Sequence, residues 1–314
     1  MTRRFTPTLL FPLFCCLALS SSAPHAAEPR DSLVVTADWL AQHLTDPGLV
    51  ILQVGDRNTY DAGHIPGAQY IAMDDVSVPM DHATMKPTDL MLEMLDTGPL
   101  RDALQRFGIS DHSRIIVYYS DEWFSPSTRV IYTLDYAGLG ANTSMLLGGL
   151  PAWKDAGRAV SADVPAVKPG VLSPLKVKSD LIVDAAFVRT TAKTTGYALV
   201  DGRARSAYDG VPPSSGRSDN PLGHIPGAAS VPFTDMFDDR GALRPAAELE
   251  AAFARAGVKP GDTVVGYCWI GQQATAMLFA ARTLGHEVRS YDGSIGDWTT
   301  RKLPLEAARK EGGQ

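Results

Sequence analysis

Cysteine is scarce in this chain, with three in 314 residues: Cys15, Cys16 and Cys268. Basic runs are missing as well. Lys and Arg number 29 against 35 Asp and Glu, a formal net charge of −6, so a nucleic-acid or anionic-membrane surface is not expected. Apolar runs stay short of the roughly 20 residues needed to cross a bilayer. The run Leu9 to Leu19 has no polar face, follows Arg3 and Arg4, and precedes the small residues Ser20-Ser21-Ser22-Ala23 and Ala26-Ala27. That order of charge, apolar stretch and small residues predicts a secretory signal over residues 1–27 and a periplasmic destination, with no membrane attachment once it is cleaved. Its removal leaves 27 basic against 35 acidic residues, a net charge of −8, and Cys268 as the only thiol. An internal disulfide, a Cys-x-x-Cys redox pair and a cysteine zinc site are then all excluded, and no metal is expected. A lone exported thiol is either inert and buried or reactive.

What is present is a core-forming composition, 45% hydrophobic and 20% charged, carrying an internal repeat. Gly63-His64-Ile65-Pro66-Gly67-Ala68 recurs as Gly223-His224-Ile225-Pro226-Gly227-Ala228, 160 residues later. The flanks agree. Leu49-Val50-Ile51-Leu52 leads to Tyr60 in the first copy, and Leu199-Val200 to Tyr208 in the second. Ile115-Ile116-Val117-Tyr118-Tyr119 and Thr263-Val264-Val265-Gly266-Tyr267 follow as short buried strands. Gly148 to Trp153 and Gly293 to Trp298 then share one spacing. Two domains are expected, at 33–158 and 180–305, with a tail over 306–314. The join at 159–179 contains Pro165, Pro169, Gly170 and Pro174, which favour an extended linker. Strands alternating with helix-length segments such as Pro245 to Ala256 and Gln273 to Leu284 predict an α/β fold, a parallel sheet with helices on both faces in each half. Ligands in such sheets bind at the carboxyl ends of strands, where Cys268 stands.

Cys268-Trp269-Ile270-Gly271-Gln272-Gln273 reads as strand end, tight loop and helix start. Successive backbone N–H groups of such a loop form an anion-binding concavity, and the first turn of the helix adds more. Gly271 permits the curvature. These features predict a thiolate stabilised without a neighbouring base, since helix starts lower a cysteine pKa from about 8.5. The competing reading is a buried small hydrophobe.

The paired Gly-His-Ile-Pro-Gly-Ala motifs, Asp201-Gly202-Arg203, the Cys268-x-x-Gly271 loop and the Tyr291-Asp292-Gly293-Ser294 to Trp298 ending together resemble the two-domain rhodanese family. The resemblance extends over about residues 33–305. It implies two tandem rhodanese-like domains and a sulfurtransferase that needs no cofactor. Cys268 would take a sulfane sulfur from a small-molecule donor, become a persulfide, and hand the outer sulfur to a thiophilic acceptor such as cyanide or a thiol. The loop, with Trp269, Ile270, Gly271, Gln272 and Gln273, would bind substrate and cradle the charged sulfur. The first half resembles the family's inactive domain. Aligning Val117-Tyr118-Tyr119 with Val265-Gly266-Tyr267 places Ser120 opposite Cys268, Asp121 and Glu122 where an anion cradle is needed, and Gln53-Val54-Gly55 in place of the Asp-x-Arg. This half is expected to wall the pocket through Trp123 or Phe124.

Arg203, Arg205 and Arg217 are the candidates to hold an anionic donor. Arg203 leads because it matches the family's Asp-x-Arg, with Asp201 orienting it. His224 has a twin in the half without a cysteine, so it belongs to the shared turn and not to a Cys–His dyad. Mercaptopyruvate-specific members carry a further arginine just past the Asp-x-Arg; Ala207, Tyr208 and Asp209 stand here, making thiosulfate the expected donor and mercaptopyruvate the alternative. A Cys-x5-Arg phosphatase is excluded by Ala274 in the arginine position. The rival from another class is a non-catalytic tandem module that binds a partner protein.

Overall fold

The computed structural model describes residues 29–79, 86, 89–120, 124–191, 194–212 and 221–307; the expected export segment lies outside them. Among the described residues ten strands form two parallel five-stranded sheets. In the first half these are β1 (Val34–Val35), β2 (Leu49–Val54), β3 (Gln69–Tyr70), β4 (Arg114–Tyr119) and β5 (Thr143–Leu146), in the order β1-β5-β4-β2-β3. In the second half β6 (Ile182–Val183), β7 (Tyr197–Asp201), β8 (Ala229–Ser230), β9 (Thr263–Tyr267) and β10 (Val288–Tyr291) repeat that order as β6-β10-β9-β7-β8. Two sheets of one topology make the repeat structural as well as sequential.

Alternation along the strands shows why both faces are covered. Ile115, Val117 and Tyr119 of β4 enter one hydrophobic cluster, whereas Ile116 and Tyr118 enter another. The second is closed by Leu40 of helix Ala37–His43 and by Leu150 and Trp153 of helix Gly149–Asp155. The larger cluster does not stop at the domain boundary. It runs from Leu52, Val117 and Val130 of the first half to Val264, Leu278 and Phe279 of the second, so the halves share one core.

At the centre of that shared core lie helices Ser125–Tyr136 and Gln272–Thr283, both buried on nearly every face. They meet through equivalent residues. The Gln272 amide donates to Ser125 Oγ at 3.0 Å, and Thr128 and Thr275 hydroxyls meet at 3.0 Å. An interface built from the same positions on both sides is what a duplicated domain folding against its copy produces. Residues 157–178 contain neither helix nor multi-residue strand. They run as a strap tied to the first half, with Gly170 N–H on Gln105 O and Leu172 N–H on Gln105 Oε1.

Candidate functional site

β9 ends at Tyr267 and delivers Cys268 to the carboxyl edge of the second sheet, one short loop before the helix starting at Gln272. The thiol is fully buried. Burial pushes its pKa up from the ordinary value, while the backbone N–H groups of Ala274, Ile270, Gln273 and Gly271 act in the opposite direction by pointing at the sulfur. The concavity read from the sequence is therefore built, but the thiolate-lowering effect expected of it is outweighed by desolvation in the resting form. Gly271 holds φ +82, the left-handed conformation that closes the loop, and an added Cβ would lie 2.8 Å from Asp292 O.

Ser294, the last residue of the Tyr291-Asp292-Gly293-Ser294 motif, belongs to the site. Its Oγ accepts the Cys268 N–H at 3.1 Å and donates to Tyr291 O at 2.9 Å, and its own φ of 52 is unusual for a side chain with Cβ. Serine there ties the strand end that carries the thiol to the end of β10. Gly149 takes the matching place in the first half, with φ 55 and with the Tyr119 ring filling the room a Cβ would need.

That match corrects the alignment of the halves. Leu49 pairs with Arg114 and Gln53 with Tyr118, just as Tyr197 pairs with Thr263 and Asp201 with Tyr267. Tyr118 and Tyr267 also do the same job, each hydroxyl accepting the N–H of Ile65 or Ile225 in the repeated motif. The residue opposite Cys268 is thus Tyr119, not Ser120. Six residues separate Tyr118 from the helix at Ser125, against four between Tyr267 and Gln272. Tyr119 donates from its hydroxyl to Gly241 O at 2.5 Å and packs into the shared core. Phe124 stacks on Phe237 at 3.7 Å, so it joins the halves; Trp123 lies outside the described residues.

Arg203 is turned inward. Its guanidinium is fully buried and binds both Asp201 oxygens, Gly223 O at 2.6 Å and Pro221 O at 3.0 Å. The Trp269 ring covers it at 4.5 Å. The Asp-x-Arg pair is an internal clamp on the segment entering the Gly-His-Ile-Pro-Gly-Ala turn, and Trp269 is its lid. In the first half Gly55 replaces the arginine, and Gln53, a neutral residue bonded by the Tyr118 hydroxyl at 2.6 Å, replaces the acid that would otherwise be buried unpaired. Arg205 is exposed and pairs with Asp209 at 3.0 Å over the Tyr208 ring, an i,i+4 surface contact. Arg217 lies outside the described residues. Gln272 is turned to Ser125, and Gln273 Oε1 is buried without a hydrogen-bond partner among the described residues. His224 stacks on Tyr208 and its Nδ1 lies 2.9 Å from Tyr208 O, as His64 does on Tyr60 at 2.8 Å. Both histidines are parts of the turn. Among the described residues, no cluster of acidic, histidine or cysteine side chains has the arrangement to hold a metal.

A buried thiol inside converging amides, on one of two parallel sheets of the same topology, is the arrangement of a cysteine-based group-transfer enzyme on a duplicated α/β scaffold. The rhodanese-like domain matches residues 36–156 and again 185–301, and the chain belongs to the rhodanese family. It is 31% identical over 286 residues to a Pseudomonas aeruginosa protein named "Probable 3-mercaptopyruvate sulfurtransferase", covering 85% of this chain and 95% of that one. A Corynebacterium glutamicum thiosulfate sulfurtransferase is 29% identical over 286 residues, with 87% and 90% covered. Among solved structures, the anaerobic ergothioneine biosynthesis enzyme of Chlorobium limicola superposes with a TM-score of 0.78 at 21% identity, covering 91% of this chain and 73% of that one. The crystal structure of YnjE gives 0.77 at 24%, covering 90% and 70%. The chain is a tandem sulfurtransferase.

Proposed function

We propose that the chain takes the outer sulfur of thiosulfate on Cys268 and passes it to cyanide or a thiol. The observation that carries this reading is the thiol itself, the only one after residue 27, seated where four backbone N–H groups converge on its sulfur. Once the proton leaves, the sulfur attacks the terminal sulfur of the donor; the S–S bond breaks and sulfite departs with the electron pair. The amides then stabilise the charged sulfur of the persulfide as an oxyanion hole stabilises oxygen. The acceptor attacks the outer sulfur and restores the Cys268 thiolate. Thiosulfate is favoured over mercaptopyruvate because Ala207, Tyr208 and Asp209 offer no arginine for a carboxylate. The name of the Pseudomonas relative supports mercaptopyruvate as the second reading.

The test is the mass of the intact protein after incubation with each donor. Thiosulfate is expected to add one sulfur, which cyanide removes and Cys268→Ser never acquires. An adduct from mercaptopyruvate alone would move the assignment to the second reading. No adduct with any sulfane donor would leave the partner-binding module as the surviving alternative.

Residues 1–27 are proposed to export the protein to the periplasm, on the strength of their charge, apolar and small-residue order. N-terminal sequencing of the protein from fractionated cells is expected to find it in the periplasm and to begin near Glu28. Full-length protein in the cytoplasm would refute this. Among the described residues no helix is long and apolar enough to cross a membrane.

A further inference from the structure

The backbone of Gly271 faces two charged side chains. The position of a Cβ there would lie 3.0 Å from Asp292 Oδ1 and 3.3 Å from Arg129 Nη1. Those two side chains form an ion pair that is almost fully buried, Arg129 exposed by 1% and Asp292 by 5%. Arg129 belongs to helix Ser125–Tyr136 of the half that lacks the cysteine. Its Nη1 donates to Asp292 Oδ1, and its Nη2 to Leu92 O and, at 3.4 Å, to Asp292 Oδ2. Asp292 Oδ2 also accepts the Met94 N–H at 3.2 Å. A fork of this kind fixes a plane as well as a distance, which a lysine does not. Asp292 in turn stands two residues before Ser294, whose hydroxyl holds the Cys268 N–H.

We infer that Arg129 is a positioning residue for the sulfur cradle: acting through Asp292, it seats the backbone of Gly271 and so sets the aim of the loop amides at Cys268 Sγ. The inference rests on the reading of Cys268 as the sulfur carrier. It gives the first half a part in the chemistry beyond packing. An anion hole works by donors fixed before charge develops, so a displaced loop loses rate even when the thiol stays in place. Burial pushes the Cys268 thiol up and the amides of residues 270, 271, 273 and 274 oppose it, so the aim of those amides is what Arg129 would act on.

Three full-length variants test it: Arg129→Lys, Arg129→Met, and Arg129→Met with Asp292→Asn. The double variant leaves no unpaired buried carboxylate, the defect most apt to unfold the single Met variant. The lysine variant keeps the ion pair and the fold while losing the fork. Two readouts are taken on variants that melt cooperatively: the pH profile of Cys268 alkylation by iodoacetamide, and thiosulfate-to-cyanide turnover. The expected result is an alkylation midpoint moved to higher pH in the lysine and double variants, with kcat lowered about 10- to 100-fold and KM for thiosulfate little changed. Parental alkylation profiles in folded lysine and double variants would overturn the inference. Alkylation needs no sulfur donor, so it decides the role of Arg129 even if the parent proves inactive with thiosulfate, which would instead defeat the functional reading.

Discussion

Arg203 shows how a residue can match a motif and still be turned the wrong way for the role the motif suggests. Spacing from Asp201 is the same whether the guanidinium reaches outward to an anion or folds back on the acid two residues before it. The structure takes the second course and caps the pair with Trp269. Burial of an arginine is rare enough that composition and pattern give no warning of it. The two roles predict different failures. Removing a guanidinium that grips a donor raises KM and spares the fold. Removing one that neutralises a buried carboxylate destabilises by about 3–5 kcal/mol. Arg203→Met is therefore expected to lower Tm sharply, and Asp201→Asn added to it is expected to recover part of the loss. Thermal unfolding of the single and double variants checks this; a normal Tm with a raised KM for thiosulfate would return Arg203 to the donor site. Cys268 itself was legible because scarcity isolated it and the following glycine placed it in a loop.

At the scale of elements, the parallel sheets, the helix at Ala246–Arg255 and the tight loop before Gln272 were all legible, because period and punctuation carry that information locally. The register between the halves was not. Two adjacent tyrosines end β4 and one ends β9, and nothing in the run of residues says which of Tyr118 and Tyr119 corresponds to Tyr267. What decides is a contact 53 residues away in sequence, Tyr118 to the Ile65 N–H, repeated as Tyr267 to the Ile225 N–H over 42. The longer connection from Tyr118 to Ser125 absorbs the difference before the two central helices meet as equals. Ser294 and Arg129 were missed for the same reason. Each acts on the cysteine loop from a distant stretch, Ser294 over 26 residues to Cys268 and Arg129 over 163 to Asp292, and no local pattern encodes such pairs.

For the whole molecule, the shared core makes the two domains one cooperative object, and the charges at their seam feel both. Glu93 comes from the first half and faces Asp292 and Asp297 of the second. Burial first, and then Asp292, push its pKa up from 4.5 to about 7, with Arg129 opposing. In the unfolded chain the same carboxyl loses its proton near 4.5. Between those values the folded protein holds a proton that the unfolded chain has released, so stability falls as pH rises through the window. Below it both states are protonated and the penalty vanishes; above about 7 the penalty is complete. Because Glu93 is partly exposed, solvent screening reduces the cost to about 1–2 kcal/mol. Glu93→Gln removes that titration while keeping the size of the side chain. The variant is expected to match the parent in urea unfolding near pH 4.5 and to exceed it by that amount at pH 8. An equal difference at both values would mean that the seam holds Glu93 by its shape alone, and that its charge has no part in coupling the halves.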